Sequence, residues 1–426
     1  LLKCDSPILT NLADLRINAE RLRADFEELA AIGANPEGGV TRLALSNEDL
    51  EARAWFANKV EDAGLVLRDD AIGNTSGILV MTQTASSPSF LIGSHLDTTH
   101  NSGSFDGSVG ICAGLECLRT IKEAGIRLPV NLEVINFTDQ EGAWQSMLGS
   151  RGLTGRLGDL TAHRDAETIG AFRAALFRTG IIVNDLHETY QAMRPPEQVA
   201  GYLELHIEQG GRLHRVGNHV GVVSGIVGRT THLITYLGEA GHSGTTAFDM
   251  RRDALQGAVA FINEAHIAIR ERFPDGIFNC GNLQVEPGTF NTIPSKAMML
   301  CEVRHADERV VAQMEQYLLT MAGNFAARFH LEWQNKVLQH MPAAEMSPSM
   351  MSAIESACTR LNTPAPMPLS SFAGHDAQIM AGYTPTGMIF IPSVNGISHN
   401  PAEFTEWNDV VLGANVLLQT LLMAAK

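Results

Sequence analysis

The residues most able to do chemistry in this chain stand in the stretch from Leu91 to Gly110, LIGSHLDTTHNSGSFDGSVG. An apolar run ends abruptly in His95 and Asp97 and, after a turn-rich loop, in Asp106. Imidazole suits zinc. A carboxylate just beyond a strand end can bridge two cations, provided that further His and Glu ligands arrive from elsewhere. The placement recurs. PVNLEVINFT (129–138) leads into Asp139, Gln140, Glu141 and Gly142, GYLEL (201–205) delivers His206, Glu208 and Gln209, and TGMIFI (386–391) runs into a loop holding His399. If the fold gathers these clusters, His95, Asp106, Glu141, His206 and His399 form a natural five-ligand set for two metals. Each alone is weak, because a single His after a strand is commonly a satisfied surface or core residue; the repetition carries the signal.

Such clusters must be presented by a scaffold, and the pattern of elements describes one. Ser46 and Asp49 resemble a capping box opening a helix that runs to Gly64, after an amphipathic segment near 11–33. A hairpin over Leu65–Met81, a buried strand over Ser89–Ser94, a helix over Gly107–Ala124 and a second buried strand follow. Strand, helix, strand, then ligands at the carboxyl edge is the logic of an α/β sheet. From about Val216 the texture changes. The spacing predicts an alternating strand over Gly221–Leu237, a helix near Arg251–Arg272, strands over Ile277–Val285 and Ala297–Arg304, and a helix over Glu308–Phe329. This reads as a small α+β domain, 221–335, inserted between two parts of a larger one, 1–220 and 336–426. A helix near Ser347–Leu361, a strand over Thr386–Ile391 and a helix from Trp407 complete the larger domain.

The 426 residues are 45% hydrophobic and 18% charged, a globular composition long enough for two domains. The formal charge of -16 argues against nucleic acid and anionic membranes as partners. No apolar run is long enough to span a bilayer and the first residues lack the features of a secretory signal, so a cytoplasmic location is expected. Cys4, Cys112, Cys117, Cys280, Cys301 and Cys358 are dispersed without a C-x-x-C pair and read as buried free thiols. Cys112, set among Ile111, Ala113 and Leu115, reads as a core thiol rather than a nucleophile.

GSHLD (93–97) with SGSFDG (102–107), GYLELHIEQG (201–210), GEAGHSGTT (238–246) with MRRDAL (250–255), AGHDA (373–377) and IPSVNGISHNPAE (391–403) together resemble a known family. It is that of the metal-dependent amidohydrolases which include N-carbamoyl-L-amino acid hydrolases, allantoate amidohydrolases and β-ureidopropionases, relatives of dinuclear zinc aminopeptidases. The resemblance implies an α/β catalytic domain, a mixed sheet flanked by helices, with an inserted ferredoxin-like α+β dimerisation domain. It implies two divalent cations (Zn, or Mn, Co or Ni) held by His95, Glu141, His206 and His399 with Asp106 bridging, and Asp97 fixing the His95 imidazole through a hydrogen bond. It further implies a small substrate bearing a carboxylate, clamped by Asn291 and Arg304, with Gln209 and Gly374 also lining the substrate site. His242 would stabilise the oxyanion across the interface of a homodimer. His375 and Asp376 take a site-wall or packing role, and Phe372 stands where relatives usually have glycine.

One position departs from the pattern. The family's general base, a Glu, falls at Gln140, and a carboxamide cannot accept and return a proton near neutral pH. Either Gln140 is an engineered, inactivating exchange that preserves shape in an otherwise intact hydrolase, or it is native to a divergent member with another base or another reaction. The intact ligand positions favour the first. The expected activity is therefore hydrolysis of ureido or amide C–N bonds, N-carbamoyl-L-amino acids ahead of allantoate; a metal aminopeptidase or dipeptidase and a metal-retaining binding protein are the alternatives.

Overall fold

The computed structural model describes residues 12–84, 86–158, 160, 165–179 and 193–426; Cys4 and the start of the segment 11–33 lie outside them. The chain divides into two compact units. One runs through Ser224 and resumes over Glu345–Ser371 and His375–Lys426; the other comprises Gly225–Ala344 with Phe372–Gly374.

The first unit opens with α1 (Ala19–Ala31), α2 (Asn47–Asp62), β1 (Val66–Asp69), β2 (Thr75–Leu79), β3 (Ser89–His95), α3 (Ser108–Glu123), β4 (Asn131–Phe137), α4 (Leu148–Leu153), α5 (Ala166–Arg178), β5 (Val199–Ile207), α6 (Arg212–Val216) and β6 (Gly221–Ile226). Ser46 caps α2 by accepting the Asp49 N–H at 3.3 Å, and the Asp49 carboxylate reaches back to the N–H of Leu45 at 2.8 Å. The second unit holds β7 (Gly228–Leu237), β8 (Gly241–His242), α7 (Ala254–Arg272), β9 (Ile277–Glu286), β10 (Thr292–Ile293), β11 (Lys296–His305), α8 (Glu308–Arg328) and β12 (Glu332–Met341). β13 (Ala344–Glu345), α9 (Pro348–Arg360), β14 (Met367–Ser371), α10 (Asp376–Met380), β15 (Thr386–Ile391) and α11 (Trp407–Ala424) follow.

The large sheet has the order β1-β2-β4-β3-β5-β15-β6-β13, with β14 paired to β6. Its four central strands, β4, β3, β5 and β15, are mutually parallel, whereas β1, β2 and β6 join antiparallel. Every residue of β3, β4 and β15 is buried, as expected of parallel strands covered on both faces. Val109, Leu115 and Leu118 of α3 and Leu417 and Leu421 of α11 share one core with Leu203 and Leu205 of β5 and Ile389 of β15. Because the central strands run the same way, all four carboxyl ends emerge on one edge.

In the second unit a four-stranded antiparallel sheet has the order β12-β7-β11-β9. With α7 and α8 its chain order is β-α-β-β-α-β, the ferredoxin-like arrangement. Three expectations need correction. The run 221–237 is two strands, not one: β6 stays in the large sheet with Gly221, Val222, Val223 and Ile226 buried, and the strict alternation begins only with β7. The helix expected from Arg251 starts at Ala254, because Asp253 accepts the N–H groups of Leu255 and Gln256. β12 was not anticipated, since it is an almost wholly exposed edge strand without apolar alternation. These two strands carry the unit boundaries to 224/225 and 344/345 rather than 220/221 and 335/336.

Candidate metal centre

The shared carboxyl edge of β4, β3, β5 and β15 gathers the predicted ligands. His95 ends β3, Glu141 follows β4, His206 is the penultimate residue of β5, and His399 lies in the loop after β15. Asp106 enters from the loop before α3. Gly107 allows that approach: its φ is +66°, and a Cβ there would lie 2.5 Å from the His95 carbonyl and 2.6 Å from its ring.

Asp106 faces two groups at once. Its Oδ1 lies 3.0 Å from His206 Nε2 and 3.7 Å from His95 Nε2. Its Oδ2 lies 3.2 Å from His399 Nε2, which is also 3.3 Å from Glu141 Oε1. The donor atoms of His95, Asp106 and His206, and those of Asp106, Glu141 and His399, each converge closely enough to hold one cation. All are nitrogen or oxygen, a set that suits zinc, manganese, cobalt or nickel.

The tautomers support the fit. His95 Nδ1 meets the carbonyl of Asp97 and His206 Nδ1 that of Ile207, each at 2.9 Å. A carbonyl only accepts, so both rings carry their proton on Nδ1 and turn a bare Nε2 toward Asp106. Neither Nε2, nor Glu141 Oε1, has a hydrogen-bond partner, although all three are buried. Lone pairs converging on one carboxylate in a dry pocket call for positive charge. Without a metal a proton answers that demand: burial opposes it, yet Asp106 raises the His206 imidazole to about 9, and Asp106 with Glu141 raises His399 to about 10.

Asp97 meets the His95 ring through its backbone carbonyl. Its carboxylate Oδ1 stands 3.8 Å from His95 Nδ1, and the ring is oriented by the Asp97 carbonyl instead. The side chain accepts the backbone N–H groups of Gln140 (3.2 Å) and Glu141 (3.1 Å), tying the end of β4 to the end of β3. Gln140 is itself buried, its carbonyl bonded to Met147 N and Ser146 Oγ. Asp139, with φ +53°, turns carboxylate Oδ2 to the N–H groups of Trp144 and Gln145. Gln209, also at positive φ (+55°), donates from Nε2 to Asp106 Oδ2 at 2.7 Å and lies 3.3 Å from His399 Nε2. It therefore touches the candidate ligands directly.

Below the site Arg42 is wholly buried, its guanidinium held by the carbonyls of Leu96, Leu29 and Ile32 and by Ser108 Oγ. Arg53 links Asp49, the Gly73 carbonyl and Thr138 Oγ1. Two cations thus brace the ends of β3 and β4 from behind. His375 packs edge-on against His206 with ring centroids 4.5 Å apart and bonds Ser371 Oγ, in keeping with a site-wall role. Glu403 was given no role from sequence, although it closes the motif IPSVNGISHNPAE; it accepts the N–H of Asp106 at 3.1 Å.

The remaining predicted residues lie in the second unit. His242 on β8 pairs with Thr292 on β10, beside Asn291, whose carbonyl accepts the Ser243 N–H at 3.0 Å. His242 Nδ1 accepts the Gly244 N–H at 3.1 Å, which leaves its proton on Nε2. Arg304, the implied clamp for a substrate carboxylate, is paired within its own unit: Nε and Nη2 engage both oxygens of Glu302 at 2.9 and 3.1 Å, and Nη1 donates to the Phe372 carbonyl at 2.5 Å. Gly374 closes the short segment Phe372–Gly374 of the same unit.

The model of Peptidase family M20/M25/M40 matches residues 91–423. An N-carbamoyl-L-amino acid amidohydrolase of Geobacillus stearothermophilus is 36% identical over 413 residues, covering 96% of this chain and 99% of its own. An allantoate amidohydrolase of Bacillus subtilis is 30% identical over 402 residues, covering 93% and 95%. The crystal structure of a hydantoinase/carbamoylase family amidase from Burkholderia multivorans superposes with a TM-score of 0.84 at 32% identity, covering 96% of this chain and 98% of that one. The chain therefore belongs to Peptidase family M20/M25/M40, within its amidohydrolases related to N-carbamoyl-L-amino acid and allantoate amidohydrolases.

Proposed function

We propose that this protein is built to hydrolyse the ureido C–N bond of N-carbamoyl-L-amino acids at a dinuclear metal centre. The observation that carries the proposal is Asp106, whose two oxygens face a His95–His206 pair and a Glu141–His399 pair. N-carbamoyl-L-amino acids and allantoate, named by the relatives, share a ureido group and a carboxylate, which defines the substrate class.

Two divalent cations bound by these residues supply Lewis acidity and a water nucleophile at neutral pH. The chain's own groups do the rest. Arg304 and Asn291 bind the substrate carboxylate. His242, with its proton on Nε2, donates to the developing oxyanion from the partner subunit of a homodimer. Phe248, Met250 and Phe290, at 86%, 74% and 99% exposure and near that strand pair in sequence, offer apolar surface suited to burial against a second copy. Gln140 holds the place of the proton shuttle and can make hydrogen bonds there but cannot take up the proton.

The test is a substrate panel of N-carbamoyl-L-amino acids, allantoate, N-acyl amino acids and dipeptides. It is run on the protein and its Gln140→Glu variant with zinc and then manganese. Ammonia release from N-carbamoyl-L-amino acids should rise roughly 10²–10⁴-fold in the variant. Preferential cleavage of free-amine dipeptides would transfer the protein to the aminopeptidases. Gln140 favours one second reading, a metal-retaining binding protein; tight ligand binding without turnover in both forms would establish it.

A further inference from the structure

The loop that delivers His399 continues to Glu403, a carboxylate that none of the roles above uses. It is only 5% exposed, a setting in which an unpaired charge is costly. Oε1 accepts the backbone N–H groups of Phe105 at 3.0 Å and Asp106 at 3.1 Å, and Oε2 accepts the Ser398 hydroxyl at 2.7 Å. Ser398 Oγ lies 3.4 Å from Asp106 Oδ2 and accepts from Gln209 Nε2 at 3.3 Å. One side chain thus ties the loop before α3 to the loop after β15, 297 residues away, at the residue that faces both donor groups. Room for it is specific. A Cβ on Gly103 would come within 2.3 Å of both the Glu403 Cβ and Oε1, so only glycine at 103 admits the carboxylate.

His399 sits at φ +52°, an unfavourable conformation for a residue with a side chain, so its loop needs external support. The Glu403 N–H bonds the Asn400 carbonyl at 2.9 Å and the Val394 N–H bonds the Phe404 carbonyl at 2.9 Å, closing the loop around Ser398 and His399. His95 and His206, by contrast, are held by strands and fully buried, whereas the His399 side chain is 47% exposed.

We infer that Glu403, acting through Ser398, is the positioning residue that sets Asp106 as the bridge between two cations and holds His399 against it. The inference rests on the two-metal reading above. Removing Glu403 frees the 105–106 backbone and the 398–400 loop together, and the loss falls on the group completed by His399. The His95–His206 group keeps its strand-borne ligands.

The full-length protein is stripped of metal and titrated with Mn²⁺ by calorimetry, and electron paramagnetic resonance of the loaded form reports spin coupling between two manganese ions. The parent protein should bind two equivalents and give a coupled signal. Glu403→Ala should weaken the equivalent completed by His399 by roughly 10–100-fold, weaken the other by less because both share Asp106, and lose the coupling. Ser398→Ala should move the same way by less. Glu403→Gln, whose amide oxygen still accepts the two N–H groups, should recover most of the loss. Parental affinities with a coupled signal in both Glu403→Ala and Ser398→Ala would overturn the inference, as would equal weakening of both sites. If Glu403→Ala does not fold, Ser398→Ala decides alone. A single Mn²⁺ equivalent in the parent protein would instead bring down the two-metal reading, and this inference with it.

Discussion

Asp97 illustrates how a residue of the expected type can act through an unexpected atom. Its carbonyl orients His95 and its carboxylate anchors Gln140 and Glu141. Asp97→Asn leaves the carbonyl in place but loses one of the two anchoring bonds, because the new amide donates where Glu141 N–H needs an acceptor. We therefore expect weaker metal binding through Glu141, by roughly tenfold, with the His95 ring unmoved. Calorimetry and a structure of the variant check both halves. At Arg304 the expectation runs the other way. Glu302 occupies the guanidinium edge that a substrate carboxylate would use. Glu302→Gln should lower KM for carboxylate-bearing substrates by about tenfold, the worth of one charge-assisted hydrogen bond, and leave KM for an amidated analogue unchanged.

Among the elements, β4 matters most for the fate of the site, because it carries Gln140 and Glu141 off its end. Within it Glu133 is wholly buried, yet Arg194 engages both its oxygens at 2.9 and 3.0 Å and Arg68 does so at 2.7 and 2.8 Å. Burial pushes this carboxyl up, but Arg194 and then Arg68 outweigh it and hold its pKa below the ordinary value. A carboxylate depressed in the folded state adds stability above its unfolded pKa and loses it as the pH falls through the folded value. Glu133→Gln leaves both guanidinium groups without a counter-charge and should cost about 3 kcal/mol at neutral pH. The cost should shrink on acidification below about pH 4 as the parent loses its own advantage. Urea unfolding at pH 7 and at about pH 3 measures the two values.

For the whole molecule, the proposed dimer makes a prediction that neither unit makes alone. If His242 serves the partner's metal centre, His242→Ala and His95→Ala are each inactive, but a mixed dimer has one intact site. Co-expression of the two variants in the Gln140→Glu background should restore activity that neither shows alone. Continued inactivity of a verified heterodimer would place His242 outside the partner's site. Among the described residues no helix is long and apolar enough to cross a membrane.

The sequence by itself determined the large sheet and placed His, Asp and Glu side chains just past the ends of its central strands. Runs buried on both faces announce parallel strands, and a polar residue just past such a run stands at the sheet edge whatever surrounds it. The ferredoxin-like insert was legible in part, since β7 and β11 alternate strictly and α8 buries Met314, Leu318 and Met321 along one face. β12 was not, because an exposed edge strand has no apolar period to read; its place is set by ladder hydrogen bonds to β7, which any side chain permits. Only the tertiary structure decided how these side chains group, which oxygen of Asp106 faces which histidine, and that Glu403 and the Asp97 carbonyl are bonded to them. Those assignments rest on backbone donors and acceptors brought together across hundreds of residues, and backbone groups leave no mark in the identity of a side chain.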